Sequence, residues 1–250
     1  MPAATTDGPT TDPTGGPPTD PIGEPTTDPT DGPTTDRPVD DPITGVYTDT
    51  YPAQVGSQAI DLPLIALNDS LAISLLITVD VPLSFIEQAG VELAEQLAPF
   101  EPDVVAAAAT LGIPVGWATA RALGHDEMVV LHKTPKTHLA DGLVEPLSSI
   151  TTEAEQAFRL DRKMLHRIED RNVVLIDDVF STGGTAAAGV RLLQRGGGRV
   201  VALGALLTEG DLWKAKLPDH VDSTVALGTV PVFEPVDGGG WTPTAAPDGA

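Results

Sequence analysis

The chain has 250 residues, no cysteine and a formal charge of −22, from 36 Asp and Glu against 14 Lys and Arg. That length holds one globular domain of ordinary size plus extensions. The charge argues against a nucleic-acid-binding surface, which needs a basic stripe, and the missing cysteines exclude disulfides, thiol catalysis and Cys-type zinc sites. No apolar run reaches the ~18 residues of a membrane span. The start of the chain lacks the basic and apolar regions of a signal peptide. A cytoplasmic protein with no nucleic-acid or membrane partner is expected.

Residues 1–42 are built from Thr, Asp, Pro and Gly, with Thr-Thr-Asp recurring at 5–7, 10–12, 26–28 and 34–36. With almost no apolar side chains to bury, this segment cannot offset the entropy of ordering, and it reads as a disordered acidic tail. The recurrence is low complexity and not a solenoid, since no unit carries a hydrophobic face. Deleting residues 1–42 is therefore expected to leave the melting temperature and ligand affinity unchanged. A thermal melt of the truncated chain checks this, and a clear fall would mean that the tail packs on the domain.

From Val46 to Leu67 the pattern is irregular, with Ala59-Ile60-Asp61-Leu62 alternating, and a short hairpin fits. Leu71–Val79 reads as a strand. Leu83–Leu97 places Phe85, Ile86, Ala89, Leu93, Ala94 and Leu97 on one helical face, ended by Pro99, which is a core-packing helix with no chemistry of its own. Asp103–Ala109 is a buried-strand run. Thr110-Leu111-Gly112-Ile113-Pro114 then turns into a helix reaching about Leu123, with Pro114 at the first helical position. Such a turn can hold an anion at its helix start, and taken alone it is also what any strand-to-helix turn looks like. Met128–Leu131 is a short strand, followed by His132-Lys133-Thr134-Pro135-Lys136. Two lysines this close stand out in a chain with five. Residues 137–162 form a long connection ending in Arg159 and Arg162.

Val173–Ile176 is an unbroken, β-branched-rich run, the pattern of a central parallel strand buried on both faces. Asp177 and Asp178 then put two carboxylates where that strand should end. Ser181-Thr182-Gly183-Gly184-Thr185 follows, and an Ala-rich helix, Ala186–Leu193, begins directly after it and stops at Gly196-Gly197-Gly198. Strand, short Gly/Ser/Thr turn and helix start make a phosphate cradle, because the glycines allow close backbone approach and unpaired N–H groups point at the anion. It is not a Walker loop, since the Gly-Lys-Ser/Thr ending is missing, nor the GxGxxG dinucleotide turn. Two acids a few residues from a phosphate nest suit a sugar phosphate. Arg199–Leu207 is the next strand, and Phe233 and Trp241, in a chain poor in aromatics, are candidates for a base-stacking hood together with Phe180.

Alternating strands and helices predict an α/β fold: a mostly parallel sheet flanked by helices, with ligands at the carboxyl ends of the strands. Asp-Asp-Val-Phe-Ser-Thr-Gly-Gly-Thr resembles the phosphoribosyl-pyrophosphate (PRPP) signature of type I phosphoribosyltransferases. The resemblance implies that fold, Rossmann-like with a small hood, over residues 43–243, followed by a loose tail at 244–250. It implies transfer of a phosphoribosyl group from PRPP to a nucleobase with Mg²⁺, and a homodimer. On it, Asp177 and Asp178 hold the ribose hydroxyls and, directly or through water, the metal. Ser181, Thr182, Gly183, Gly184 and Thr185 take the 5′-phosphate. Thr110, Leu111 and Gly112 match the pyrophosphate loop in position, although the acidic residue many members carry before that glycine is absent here. Lys133, with Lys136, matches the basic residue after the strand, and the stretch beyond is the expected closing loop. Hypoxanthine–guanine members carry an aspartate where Ser181 sits, so adenine, xanthine and orotate types stay open. A PRPP- or nucleotide-sensing regulator with the same fold and no turnover is the alternative.

Overall fold

The inner strands of the central sheet are apolar runs that alternate their side chains between two cores. The computed structural model describes residues 45–139, 141–147 and 156–244. The expected acidic tail 1–42, and all but the first residue of the expected tail 244–250, lie outside the described residues. The sheet has the strand order β10-β9-β8-β4-β5, all parallel, formed by β4 (Val104–Ala108), β5 (Met128–Leu131), β8 (Asn172–Phe180), β9 (Arg199–Glu209) and β10 (Thr224–Val230). In β8, Val174 and Ile176 enter the core beneath helices α1 (Leu83–Leu97) and α2 (Gly112–Ala122). Val173 and Leu175 enter the opposite core, under α3 (Gly184–Arg195). Burial on both faces is what a parallel sheet covered by crossover helices requires.

All six apolar positions expected on α1 are buried, together with Gly90. The helix at Pro114 begins two residues earlier than expected, at Gly112, so Pro114 occupies its third position. Proline is harmless there because first-turn amides have no helical acceptor.

The hairpin near residue 50 is present as β1 (Thr50–Val55) and β2 (Gln58–Asn68), paired antiparallel through a Gly56-Ser57 turn. Its turn is fastened to the parallel domain. Gly56 N donates to Leu227 O at 2.8 Å, and Ser57 bonds Glu92 of α1 through both its amide and its hydroxyl. The strand expected at Leu71–Val79 is shorter: β3 covers only Leu71–Ser74 and belongs to a separate antiparallel sheet, β1-β2-β3-β11-β12. Its last strands are β11 (Phe233–Pro235) and β12 (Trp241–Pro243). Leu76 is buried in the core although the chain there is not a strand, so the apolar run reported burial and not conformation. This sheet is the hood.

The connection after β5 is not one structureless loop. It contains an antiparallel pair, β6 (Leu143–Pro146) and β7 (Ala157–Leu160), with residues 148–155 outside the described residues. Glu145 ties this ribbon to α3, bonding Arg191 at 2.7 Å and Arg195 at 2.8 Å. Among the described residues no helix is long and apolar enough to cross a membrane.

Candidate active site

From β4 the chain crosses through α2 to β5 on one side. From β8 it crosses through α3 to β9 on the other. The β4–β8 junction is thus the switch point where an open α/β sheet leaves a crevice at the carboxyl ends of its strands. Both expected anion-binding turns open at that crevice.

The acids are not at the end of β8, as the sequence suggested, but inside it. The strand runs on to Phe180, with Asp177 paired to Ala205 and Phe180 to Thr208 of β9. On the β4 side the described pairing stops at Ala107 and Ile176. One edge of β8 is therefore held while the other is released, which presents the acids over the crevice without loosening the strand. An apolar run ends at the first charge in the sequence, but a strand ends only where its partner does.

Gly112 is what brings the two turns together. A Cβ built there would lie 3.0 Å from both Cα and Oδ1 of Asp177 and 3.1 Å from the Ile176 carbonyl oxygen. Any side chain would push α2's start off the acid. Thr78, buried beneath, donates its hydroxyl to Leu111 O at 2.6 Å and holds this turn from below. The Ala109–Thr110 peptide is cis. No side chain caps the first turn of α2, so its amides stay available to an anion.

At the second turn Gly183 is the N-cap of α3 with φ +75°, again without a side-chain cap. A Cβ there would lie 2.8 Å from Cα and 2.9 Å from O of Trp213. Trp213 belongs to the short helix α4 (Leu212–Lys216) and packs its ring near that of Phe180, centroids 6.4 Å apart. The cradle is thereby backed by main chain that cannot yield. A cavity of about 90 Å³ opens at the turn, lined by Asp177, Val179, Phe180, Ser181, Thr182, Gly183, Thr185 and Ala186. A larger one, of about 230 Å³, lies at the amino ends of β4 and β5, away from both turns.

Electrostatics mark the same spot. Burial, and then the neighbouring Asp178 carboxylate, hold the Asp177 carboxyl well above the ordinary carboxylate range, while Lys133 pulls it down. Asp177 is 6% exposed, and Asp178 N donates to its Oδ1 at 3.0 Å. Lys133 thus faces the acid from the end of β5, with its ammonium 5.8 Å from the Phe158 ring centroid. Lys136 is exposed, without an ion pair among the described residues. Arg159 and Arg162 turn to the ribbon. Arg159 donates to the Lys133 and Ala157 carbonyls, and Arg162 donates to Asp141 O at 2.8 Å.

Two of the expected base-stacking residues are corrected. Phe233 is fully buried, edge-on to Tyr47 and Tyr51 beneath the hood, and Phe180 is 2% exposed in the core under α3. Both rings are packed in cores, because a scarce large aromatic is worth more in a core than at a surface, although Phe180 also lines the cavity at the cradle. Trp241 is half-buried on β12, its backbone bridged to Tyr47. Glu209 escaped the sequence reading. It is a buried acid ending β9, its carboxyl raised by burial and drawn down by the nearby Ser181 hydroxyl. Its signal was available: like Asp177, it is an acid at the end of an apolar run, with only Thr208 between.

A divalent cation fits this donor set as part of a ligand complex. Among the described residues no three carboxylates or histidines converge to hold one alone. Yet a carboxylate destabilised by burial and by a second acid is short of positive charge.

The phosphoribosyl transferase domain family matches residues 86–233, more than half of the chain. An adenine phosphoribosyltransferase of Desulforamulus reducens is 32% identical over 111 residues, covering 43% of this chain and 59% of that protein. One of Dinoroseobacter shibae is 31% identical over 154 residues, covering 58% of this chain and 81% of that protein. Among the relatives, the matched segment thus spans less than two thirds of the first. A crystal structure of adenine phosphoribosyltransferase from Thermoanaerobacter pseudethanolicus superposes with a TM-score of 0.54 at 22% identity, covering 68% of this chain and 95% of that one, a likeness of fold. With both turns and both acids standing at the switch point of such a sheet, the chain belongs to the phosphoribosyl transferase domain family.

Proposed function

We propose that this chain transfers the phosphoribosyl group of PRPP to a nitrogenous base, adenine first among the candidates, giving a nucleoside 5′-monophosphate and pyrophosphate. The observation that carries the reading is the contact of Gly112 with Asp177, which sets an anion-binding turn against ribose-binding acids, with a phosphate cradle beyond. The adenine phosphoribosyltransferase relatives support the choice of base.

The cradle 181–185 takes the 5′-phosphate through the amides of α3 and the Ser181, Thr182 and Thr185 hydroxyls. Asp177 and Asp178 accept the ribose hydroxyls. Thr110, Leu111 and Gly112 offer main-chain donors to the pyrophosphate, and Lys133 places a positive charge beside it. As the C1′–oxygen bond breaks, negative charge grows on pyrophosphate and positive charge on the ribosyl centre. Donors fixed in advance stabilise the first, and the nearby carboxylates stabilise the second. Asp177 and Asp178 would hold Mg²⁺ together with the bound ligand, and the metal would supply further charge neutralisation on the leaving group. A cytoplasmic homodimer belongs to the same reading.

Incubating the protein with PRPP, Mg²⁺ and adenine, xanthine, hypoxanthine or orotate, and measuring pyrophosphate, tests it. Release with adenine supports it. PRPP binding without release from any base would favour a sensor. Lys133→Ala is expected to lower kcat by about 100-fold while changing PRPP affinity by about threefold, since its charge matters most as pyrophosphate leaves. Steady-state kinetics beside calorimetric PRPP titration checks this, and full activity in the variant would remove Lys133 from the machinery.

A further inference from the structure

Glu209 is an expensive residue with no structural gain to offset it. It is 6% exposed, as closed off as Asp177, and none of the ion pairs among the described residues includes it. Its main chain pairs with Val230 of β10, and the adjacent Thr208 bonds Thr229 at 2.9 Å. An apolar side chain would fill the end of β9 at lower cost, because a buried carboxylate without a cation loses its hydration. Burial raises its pKa, and the nearby Ser181 hydroxyl draws it back. A carboxylate has several acceptor positions, and those of Glu209 remain for a ligand.

The order of the strands says which ligand. Replacing an α-linked pyrophosphate to give a β-nucleotide inverts the anomeric carbon, so the entering base and the leaving pyrophosphate occupy opposite faces of the ribose. The turn 110–112 follows β4, on one side of β8, and β9 lies on the other. With the ribose held over β8 and pyrophosphate over the end of β4, the base arrives over the end of β9. Phe180, the last residue of β8, pairs with Thr208, so Ser181 leaves that strand beside Glu209, the last residue of β9.

We infer that Glu209 is a specificity-determining residue whose carboxylate, buried at the carboxyl end of β9, accepts an N–H hydrogen bond from the incoming base. It thereby selects a base with an amino edge, such as adenine, over bases that present carbonyl oxygens there. Oxygen facing a buried carboxylate leaves two acceptors opposed, and sites built on a polar contact reject the wrong partner far more strongly than apolar pockets do. The inference rests on the transferase reading above and names the determinant of its base choice.

The test compares the wild-type chain with Glu209→Gln and Glu209→Leu, using PRPP, Mg²⁺ and either adenine or hypoxanthine. The wild type is expected to favour adenine. Glu209→Gln, which can donate as well as accept, should lower the adenine-to-hypoxanthine ratio of kcat/KM about tenfold, and Glu209→Leu should lower kcat/KM for adenine about 100-fold. Both should bind PRPP within about threefold of wild type. An unchanged ratio in Glu209→Gln overturns the inference, as does a wild type that prefers hypoxanthine. Loss of PRPP binding in both variants also overturns it, since Glu209 would then be a prop for the cradle. If the wild type releases pyrophosphate with no base at all, the transferase reading falls and this inference with it.

Discussion

Replacing both acids proposed to hold the ribose, Asp177→Asn with Asp178→Asn, is expected to weaken PRPP binding by about 1000-fold, through the loss of charge-assisted bonds to its hydroxyls. It should also leave a protein that melts at a higher temperature than the wild type at neutral pH. The second half is the sharper claim. Burial and Asp178 raise the Asp177 carboxyl well above its ordinary value, so over the interval between the unfolded and folded pKa the folded state holds the extra proton. Stability is then fully present below the unfolded value and falls as pH rises through the folded one. The double Asn variant has no such loss. Its advantage over wild type should be largest above the folded pKa and vanish in acid, where Asp177 is protonated in both states. Thermal melts across pH, beside calorimetric PRPP titrations, measure both halves. A folded variant with unchanged PRPP affinity would sink the assignment of these acids, and a melting advantage that did not depend on pH would sink the electrostatic account.

Gly183→Ala should be the most damaging single methyl group at this site. The residue has φ +75°, and its added Cβ would lie 2.8 Å and 2.9 Å from Trp213 main-chain atoms. Left-handed backbone and overpacking together cost about 2–4 kcal/mol. That leaves a domain of ordinary stability, about 5–15 kcal/mol, still folded. Relief of the clash must move the first turn of α3, so its amides no longer converge, and PRPP affinity should fall by about 100-fold. Gly197→Ala is the control. It has φ +87°, but its nearest neighbours, atoms of Glu169, lie 3.3 Å and more away, at the far end of α3. That variant should lose stability from backbone strain and keep its PRPP affinity. Chemical denaturation with ligand titration separates the two, and equal losses of affinity in both would mean that global destabilisation and not the cradle is responsible.

The parts of this protein readable from its residues were those governed by local rules. The face of α1 followed from helical spacing, and its end at Leu97 from Pro99 just beyond. β4, β5 and the helix after Gly183 followed from apolar runs and turn glycines, and the acids beside a glycine-rich turn suggested the sugar phosphate that we propose as ligand. Those signals are carried by neighbours in the chain, where period and punctuation suffice.

Only the tertiary structure could decide what depends on a partner strand. β8 extends past its acids because β9 continues beside it, while β4 has already turned away. β3 left the central sheet because β2 and β11 offered it antiparallel edges. Phe233 and Phe180 went to cores rather than to a ligand, since nothing in a residue's identity says which surface it will meet. Gly112 could be seen as a turn glycine, but not as the residue whose missing side chain lets a turn touch Asp177. Glu209 lies 28 residues beyond Ser181 in the chain, and only the parallel register of β8 and β9 sets the two side by side. Local sequence determined the elements and the chemical character of the cradle, because hydrophobic period and backbone permissiveness act over a few residues. Strand pairing determined which charges are buried together, because register joins residues that the chain itself keeps apart.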